Sequence, residues 1–175
     1  MKTVNIDIPD GVDVELDGST LVFDGSEGTV EREVSYPDIS VSVDDGEVVL
    51  RCESDRRQLL AALGTFESQV ENAIHGVDEG FEYRMKVLYS HFPMQVEVKG
   101  DEVEVRNFLG EKHPRKTEIR GETEVEVSEE EIVLRGPNKE DVGQTAASIE
   151  QLTYINDKDV RVFQDGIYIT QKPEA

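Results

Sequence analysis

The stretch "VEVKGDEVEV" at residues 96–105 answers "VELDGSTLVF" at residues 14–23. Each is a pair of apolar-alternating runs around a Gly-containing turn. Alternation at period two places Val14 and Leu16, or Val96 and Val98, on one face of a strand. A short polar turn between two such runs is a hairpin. The match extends outward. Gly18 maps to Gly100 and Gly28 to Gly110, each 82 residues on. "EEEIVLRG" at 129–136 answers "DDGEVVLRC" at 44–52. A second helical run answers a first, with Gly64, Val70 and Glu71 mapping to Gly143, Ile149 and Glu150 at an offset of 79. Such self-similarity is an internal duplication whose loops have changed length. The implied fold class is α+β, in two duplicated domains, 1–80 and 81–175. Each has small antiparallel or mixed β-sheets and one α-helix around a single core. A copy of about 80 residues is enough for one small core.

The remaining elements are set by period and punctuation. "VNIDI" puts Val4, Ile6 and Ile8 on one strand face, and Val12, Val14 and Leu16 repeat the pattern before the "DGS" turn at 17–19. A strand is expected around 29–35, and "ISVSV" and "EVVLRC" flank "DDG" at 44–46 as a hairpin. Leu59, Leu63, Phe66, Val70 and Ile74 then recur at helical spacing, predicting a helix over about 55–75 with Ser54 as N-cap and Gly76 just past its end. "FEYRMKVLY" at 81–89 alternates Phe81, Tyr83, Met85, Val87 and Tyr89 as a long strand linking the copies. In the second copy Asn138 is placed to cap a helix through "NKEDVGQTAASIEQL". Near the end, "VRVF" and "IYIT" flank "QDG" as a tight hairpin, with Val162, Ile167 and Ile169 toward the core.

Charged residues make up 33% of the chain and apolar residues 37%. High charge with low hydrophobicity can leave a chain disordered, but the strong patterning argues for folding. The formal net charge is −21, from 39 acidic and 18 basic residues, with eight Lys against ten Arg. Many carboxylates and few lysines suit a cytoplasm rich in salt, where a Debye length of roughly 3 Å at 1 M screens acidic self-repulsion. The single cysteine, Cys52, excludes an internal disulfide and fits a reducing cytosol; it reads as a half-buried strand thiol rather than a nucleophile. The N-terminus has no apolar signal region and no segment approaches the ~20 apolar residues of a membrane span. A soluble, cytoplasmic protein is expected.

Catalytic and metal signatures are weak. His75, His91 and His113 lie far apart, and with one cysteine a zinc site has no ligand set. The "DDG" and "QDG" pieces lack the rest of a calcium loop. There is no phosphate-binding Gly-rich loop and no nucleophile with a base. No enzyme activity, cofactor or small-molecule substrate is expected.

One region reverses the charge. Residues 106–120, "RNFLGEKHPRKTEIR", hold Arg106, Lys112, Arg115, Lys116 and Arg120 against Glu111 and Glu118, a balance of +3. Residues 1–50 hold thirteen acidic and two basic residues, a balance of −11. Gly110 and Pro114 shape the island as a loop, and Arg and Lys on such a loop are natural phosphate contacts. The plain alternative is a solvated loop. The second helix opens with Lys139 beside N–H groups that can face a phosphate, although Glu140 and Asp141 can answer the helix dipole themselves. Gly143 and Gln144 sit in its first turns, where a Gly costs ~1 kcal/mol. That marks a close approach, either of a partner's backbone or of the chain's own sheet. Lys158, Arg161 and Lys172 flank the last hairpin.

"YSHFP" at 89–93, "RNFLGEK" at 106–112, "VGQTAASI" at 142–149 and "NDKDVRVFQDGIYI" at 156–169 together resemble large ribosomal subunit protein six in its archaeal and eukaryotic form. The run from Gln151 to Lys172 is the most specific, through Gln151, Ile155, Lys158, Arg161, Phe163, Asp165, Gly166, Tyr168 and Lys172. The resemblance spans essentially the whole chain. It implies two similar α+β domains, a structural and assembly role, and binding of large-subunit rRNA mainly through the second domain. It implies a place near the sarcin-ricin loop and the stalk base, with ribosomal proteins as neighbours and translational GTPases nearby. Carried onto this chain, it implies phosphate contacts at Arg106, Lys112, Arg115 and Lys116, with His113 in the same loop. It further implies a groove contact at Lys158, Arg161 and the Gln164–Asp165–Gly166 turn, and lesser contacts at Lys139, Gly143, Gln144 and Lys172. The acidic first domain departs from the basic balance usual in ribosomal proteins, which leaves it to solvent or neighbouring proteins.

The competing reading from composition is a free-standing acidic module, such as a nucleic-acid mimic for a basic partner. It predicts a uniformly acidic chain, which residues 106–120 contradict. If the cytoplasm is molar in salt, counterion release cannot carry RNA affinity; shape, 2′-OH hydrogen bonds and buried area must do so.

Overall fold

The computed structural model describes residues 1–174 and divides them into two compact units. One comprises Met1–Gly80 with Pro137–Lys139, the other Phe81–Gly136 with Glu140 onward.

In the first unit six strands precede one helix: β1 Lys2–Asp7, β2 Asp13–Asp17, β3 Thr20–Gly25, β4 Gly28–Glu33, β5 Ile39–Asp44, β6 Glu47–Cys52 and α1 Arg57–Asp78. They form two three-stranded antiparallel sheets, in the orders β1-β6-β5 and β2-β3-β4. The core gathers Ile6, Val12, Leu21, Phe23, Val48, Leu50, Leu63, Val70 and Val77. Alternation explains this directly, because Leu21 and Phe23 on one side of β3 are both fully buried. Cys52 is fully buried rather than half-buried, and its thiol donates to the Ser54 carbonyl at 3.1 Å.

The boundaries of α1 differ from the sequence expectation. Arg56, not Ser54, is the N-cap residue, and no side chain caps it; the Ser54 hydroxyl accepts from the Arg56 N–H at 3.4 Å. Gly76 is a buried helical residue and the helix continues through Val77, which is also buried. The Val77 carbonyl accepts from the Glu27 N–H at 2.9 Å, so sheet and helix hold that last turn together. The left-handed glycine after the helix is Gly80, at φ +78°.

The second unit repeats the plan: β7 Phe81–Leu88, β8 Gln95–Lys99, β9 Glu102–Arg106, a 3₁₀ turn Phe108–Gly110, β10 Arg115–Glu118, β11 Glu124–Ser128, β12 Glu131–Gly136, α2 Lys139–Leu152 and β13 Gly166–Gln171. The sheet β10-β9-β8 matches β4-β3-β2. Register confirms the duplication: Val14 faces Phe23 and Leu16 faces Leu21, while Val96 faces Val105 and Val98 faces Val103. All four pairs lie at the offset of 82 seen in the sequence. The other sheet, β11-β12-β7-β13, is the first unit's β5-β6-β1 with one strand added. Its core gathers Met85, Val87, Val103, Phe108, Ile132, Leu134, Ile149 and Ile167.

Two expectations about strands fail. The 81–89 segment does not link the copies; β7 is a central strand of the second unit, paired with β12 and β13. Nor does a terminal hairpin form among the described residues. Val160, Arg161 and Val162 form a turn, and Val162 is 55% exposed. Residues 160–163 have the alternation of a strand but are drawn into a turn, because the Val162 and Phe163 N–H groups donate to the Asp159 carbonyl at 3.0 and 2.9 Å and the Arg161 N–H donates to Asp159 Oδ1 at 2.9 Å. Ile167 is fully buried and Ile169 packs against the core, as expected.

Candidate nucleic-acid interface

The basic island folds as the β9–β10 loop, Asn107–Pro114, with Arg115 and Lys116 opening β10. Three of four consecutive residues are left-handed: Asn107 at φ +59°, Leu109 at +50° and Gly110 at +76°. For a non-Gly residue this conformation costs roughly 1–2 kcal/mol, so something must hold it. Phe108 does, being 1% exposed and sunk in the core; burying such a ring gains roughly 1.5–3 kcal/mol.

Arg115 closes the loop from above. Its guanidinium carbon lies 4.5 Å from the Phe108 ring centroid. Nε and Nη2 donate to the two Glu111 carboxylate oxygens at 2.8 and 2.6 Å, and Nη1 donates to the Leu152 carbonyl at 2.7 Å. Leu152 ends α2, so Arg115 also satisfies a free carbonyl of the helix C-terminus. The Arg115 hydrogen bond holds the Glu111 carboxyl below its usual pKa. Arg106 is likewise engaged, by the buried Glu104, whose other oxygen meets Lys99 Nζ at 3.3 Å. The Arg106 hydrogen bond lowers the Glu104 pKa despite burial. Lys112, His113 and Lys116 are exposed and make no ion pair among the described residues. The island thus contains a scaffold (Arg106, Arg115) and a presented face (Lys112, His113, Lys116).

The segment Tyr89–Pro93 joins this loop to the C-terminal one. The Asn107 amide donates to the Pro93 carbonyl at 2.9 Å, and the Phe92 ring lies against Gly110, where a Cβ would meet it at 3.2 Å. On the other side the Ser90 hydroxyl donates to Asp165 Oδ1 at 3.2 Å, and His91 Nδ1 lies 3.4 Å from the same oxygen. Asp165 is 1% exposed. Burial alone would raise its pKa, but the hydrogen bonds from His91 and Ser90 hold it below the usual range. The His91 ring packs on Phe163 at 4.9 Å, and Lys158 Nζ sits 4.8 Å from the Phe163 centroid on the way to solvent. Arg161, 87% exposed at its side chain, is steadied by Asp159 at 3.0 Å.

Comparison with known proteins gives the family. The sequence pattern of Ribosomal protein L6 matches residues 8–80 and 92–166. The chain is similar to large ribosomal subunit protein uL6 of Haloarcula marismortui, 57% identical over 99% of this chain and 97% of that one. It is similar to the same protein of Halobacterium salinarum, at 57% with the same coverage, and of Methanosarcina mazei, at 55% over 95% of each. The chain belongs to the ribosomal protein L6 family. Members of that family are structural components of the large ribosomal subunit, not enzymes. Among the described residues of this member, no three His, Cys, Asp or Glu side chains gather to hold a metal, and no helix is long and apolar enough to cross a membrane.

Within this L6 chain the structure gathers some candidate residues and separates others. Arg106, Lys112, His113, Arg115 and Lys116 lie in or beside the β9–β10 loop, and the Tyr89–Pro93 bridge connects it to the segment that holds Lys158, Arg161, Gln164, Asp165 and Gly166. Asp165 is buried and acts as the tie between loops. Gly166 is buried too, and a Cβ there would meet the Tyr168 hydroxyl at 3.1 Å. Lys172 lies just past β13, six residues from Gly166, or roughly 20 Å at strand rise. Lys139, Gly143 and Gln144 lie toward the start of α2, roughly 12–20 Å along the helix from Leu152. Lys139 groups with the first unit. The close approach at Gly143 is to the chain's own sheet, with the Tyr83 hydroxyl 2.9 Å from a Cβ placed there. Ser90, His91 and Phe163 had no place in the sequence-based site. The compact "YSHFP" run was the available signal; the long-range contacts within the chain that give it a role were not.

Proposed function

We propose that the chain binds large-subunit rRNA through its second domain, residues 81–175, with the first domain, 1–80, turned to solvent or to neighbouring ribosomal proteins. The reading places it near the sarcin-ricin loop and the stalk base, supporting the site where translational GTPases act. The carrying observation is that Lys112, His113 and Lys116 stand without an ion-pair partner among the described residues, on a loop whose backbone is fixed by Phe108 and Arg115. A rigid loop loses little conformational freedom on binding, and exposed cations supply the phosphate contacts that set register on RNA. Lys158 and Arg161, tied to the same loop through His91 and Asp165, extend that face.

The test is co-sedimentation with large subunits at high magnesium and salt, comparing the native chain with Lys112→Glu/Lys116→Glu. Arg115 is left in place, since its loss would free the loop and confuse folding with binding. The expected result is a folded variant that no longer travels with the subunit; normal incorporation would remove the assignment.

A further inference from the structure

The C-terminal loop encloses a feature that phosphate contacts do not use. Between the end of α2 and β13 lies a cavity of about 480 Å³, lined by Glu150, Tyr154, Ile155, Val160, Phe163 and Tyr168 among others. Three of its walls are aromatic. Tyr154 is 68% exposed and Val160 65%, so its lip is an apolar surface held out to solvent. In a chain with this charge and only eleven aromatic Phe or Tyr residues, three around one opening need a reason. The ring positions are fixed: Phe163 is held by His91, and the Tyr168 hydroxyl donates to the Gln164 carbonyl at 3.0 Å. The rim carries a cation, since Lys158 lies over the outer part of Phe163. One oxygen of Glu150 accepts from the Ile169 N–H at 3.1 Å, and the carboxylate remains an acceptor at the cavity wall.

We propose that this cavity receives one unstacked nucleobase of the rRNA, stacked on the aromatic wall formed by Tyr154, Phe163 and Tyr168. Lys158 meets the phosphate of the same nucleotide, and Glu150 accepts from an N–H on the base edge. The inference rests on the reading that the second domain binds rRNA, and goes beyond it by naming a base-binding pocket. Three features support a base over an apolar protein side chain. Three of the lining side chains are aromatic, and unpaired RNA bases are characteristically held on aromatic rings. A cation stands beside the ring, where a phosphate would lie. The cavity wall is also linked to the basic loop by contacts, Phe163 packing on His91 and the neighbouring Phe92 lying against Gly110. Such stacking is weakly dependent on salt, which suits a chain whose acidity points to a salt-rich solvent.

The experiment measures affinity of the full chain for protein-free large-subunit rRNA across a salt series, for three variants. Tyr154→Ala removes the most exposed wall and leaves the core untouched. It is expected to weaken binding roughly 5- to 150-fold, the range for one stacked base, by the same factor at every salt concentration. Tyr154→Phe keeps the ring and should bind as the native chain does. Lys112→Glu/Lys116→Glu should weaken binding and flatten the salt slope. Ultraviolet crosslinking in intact large subunits should join RNA to Tyr154, Phe163 or Tyr168. If the lysine variant loses affinity while Tyr154→Ala does not, and crosslinks avoid all three rings, the pocket assignment falls and the rRNA-binding reading stands. Crosslinks from Tyr154 to a protein neighbour alone would also overturn it. Failure of every variant to alter binding would remove both.

Discussion

The two hairpins that match best in sequence differ in the turn each makes into its third strand. In the first unit β3 turns into β4 through two residues, Ser26 and Glu27, with Gly25 paired to Gly28 across the turn. In the second, β9 turns into β10 through eight, Asn107–Pro114. The preceding turns, Gly18–Ser19 and Gly100–Asp101, are equal in length and both glycines are left-handed. The duplication therefore kept its framework and lengthened one loop, the one that became basic. Charge shows the same division. Residues 1–80 carry nineteen acidic and five basic side chains, and residues 81–175 carry twenty and thirteen. A core tolerates insertion at a surface loop at small entropic cost, so a copy can gain a binding loop without altering its sheets.

The largest expected effect comes from salt. The first unit has the greater excess of negative charge on the shorter chain, so its self-repulsion grows most as screening is removed. Hydrogen exchange on the full chain, moved from about 3 M to about 0.05 M salt, should show residues 1–80 losing protection before residues 81–174. Uniform loss would break the comparison, and full protection throughout would end the reading of the acidity as salt adaptation.

Next is Phe108→Ala. This ring has no counterpart in the two-residue turn of the first unit, and it supports both the left-handed backbone and Arg115. Truncating a buried Phe costs ~3–5 kcal/mol. Denaturant unfolding should show the second unit destabilised by that amount and the first unchanged.

Asp165→Asn should cost less, ~1.5–3 kcal/mol, the range for a hydrogen bond to a charged group. The Asp165 pKa is depressed in the folded chain. Its contribution is therefore complete above the unfolded carboxylate value of about 3.9 and is lost as pH falls through the lower folded value. The stability gap between native chain and variant should be constant from pH 7 to about 5 and close on acidification below about 4. A gap that does not respond to pH would show that Asp165 ties the loops by shape rather than by charge.

How much of this was legible in the sequence depends on range. Period two and the Gly turns placed Val14, Leu16, Val96 and Val98, and an 82-residue offset predicted a register that the strands keep pair for pair. Local pattern failed where a partner decides the outcome. "VRVF" has a strand's alternation, but the N–H groups of Arg161, Val162 and Phe163 all turn back to Asp159, which makes it a turn although the outer edge of β13 is open. Gly76 has a terminator's identity, but Val77 has a core to fill. The site divided in the same way. Composition found the basic island, whereas the division of its cations depends on contacts with Glu104, Glu111 and Leu152. Arg115 and Lys116 are neighbours in sequence and identical in formal charge, yet one is a clamp and the other faces outward.

The smallest effect gives the finest test of the two turn glycines, Gly100 and Gly110. Both are left-handed, at φ +58° and +76°, so an Ala at either bears the same backbone cost of roughly 1–2 kcal/mol. Their surroundings differ. Nothing lies within 4 Å of a Cβ at Gly100, while a Cβ at Gly110 meets the Phe92 ring at 3.2 Å. Phe92 is 42% exposed, so it can yield with little further loss of stability. Its displacement bears on the Tyr89–Pro93 segment that connects the two loops. Asn tolerates the left-handed region, so Gly100→Asn should be close to neutral in both stability and rRNA affinity. Gly110→Asn should match it in unfolding midpoint to within about 1 kcal/mol, yet bind rRNA more weakly, because the Lys112 face and the Lys158 face would no longer hold their spacing. Equal affinities for the two variants would mean that the loops bind independently, and that the contacts through Phe92, His91 and Asp165 serve only the fold.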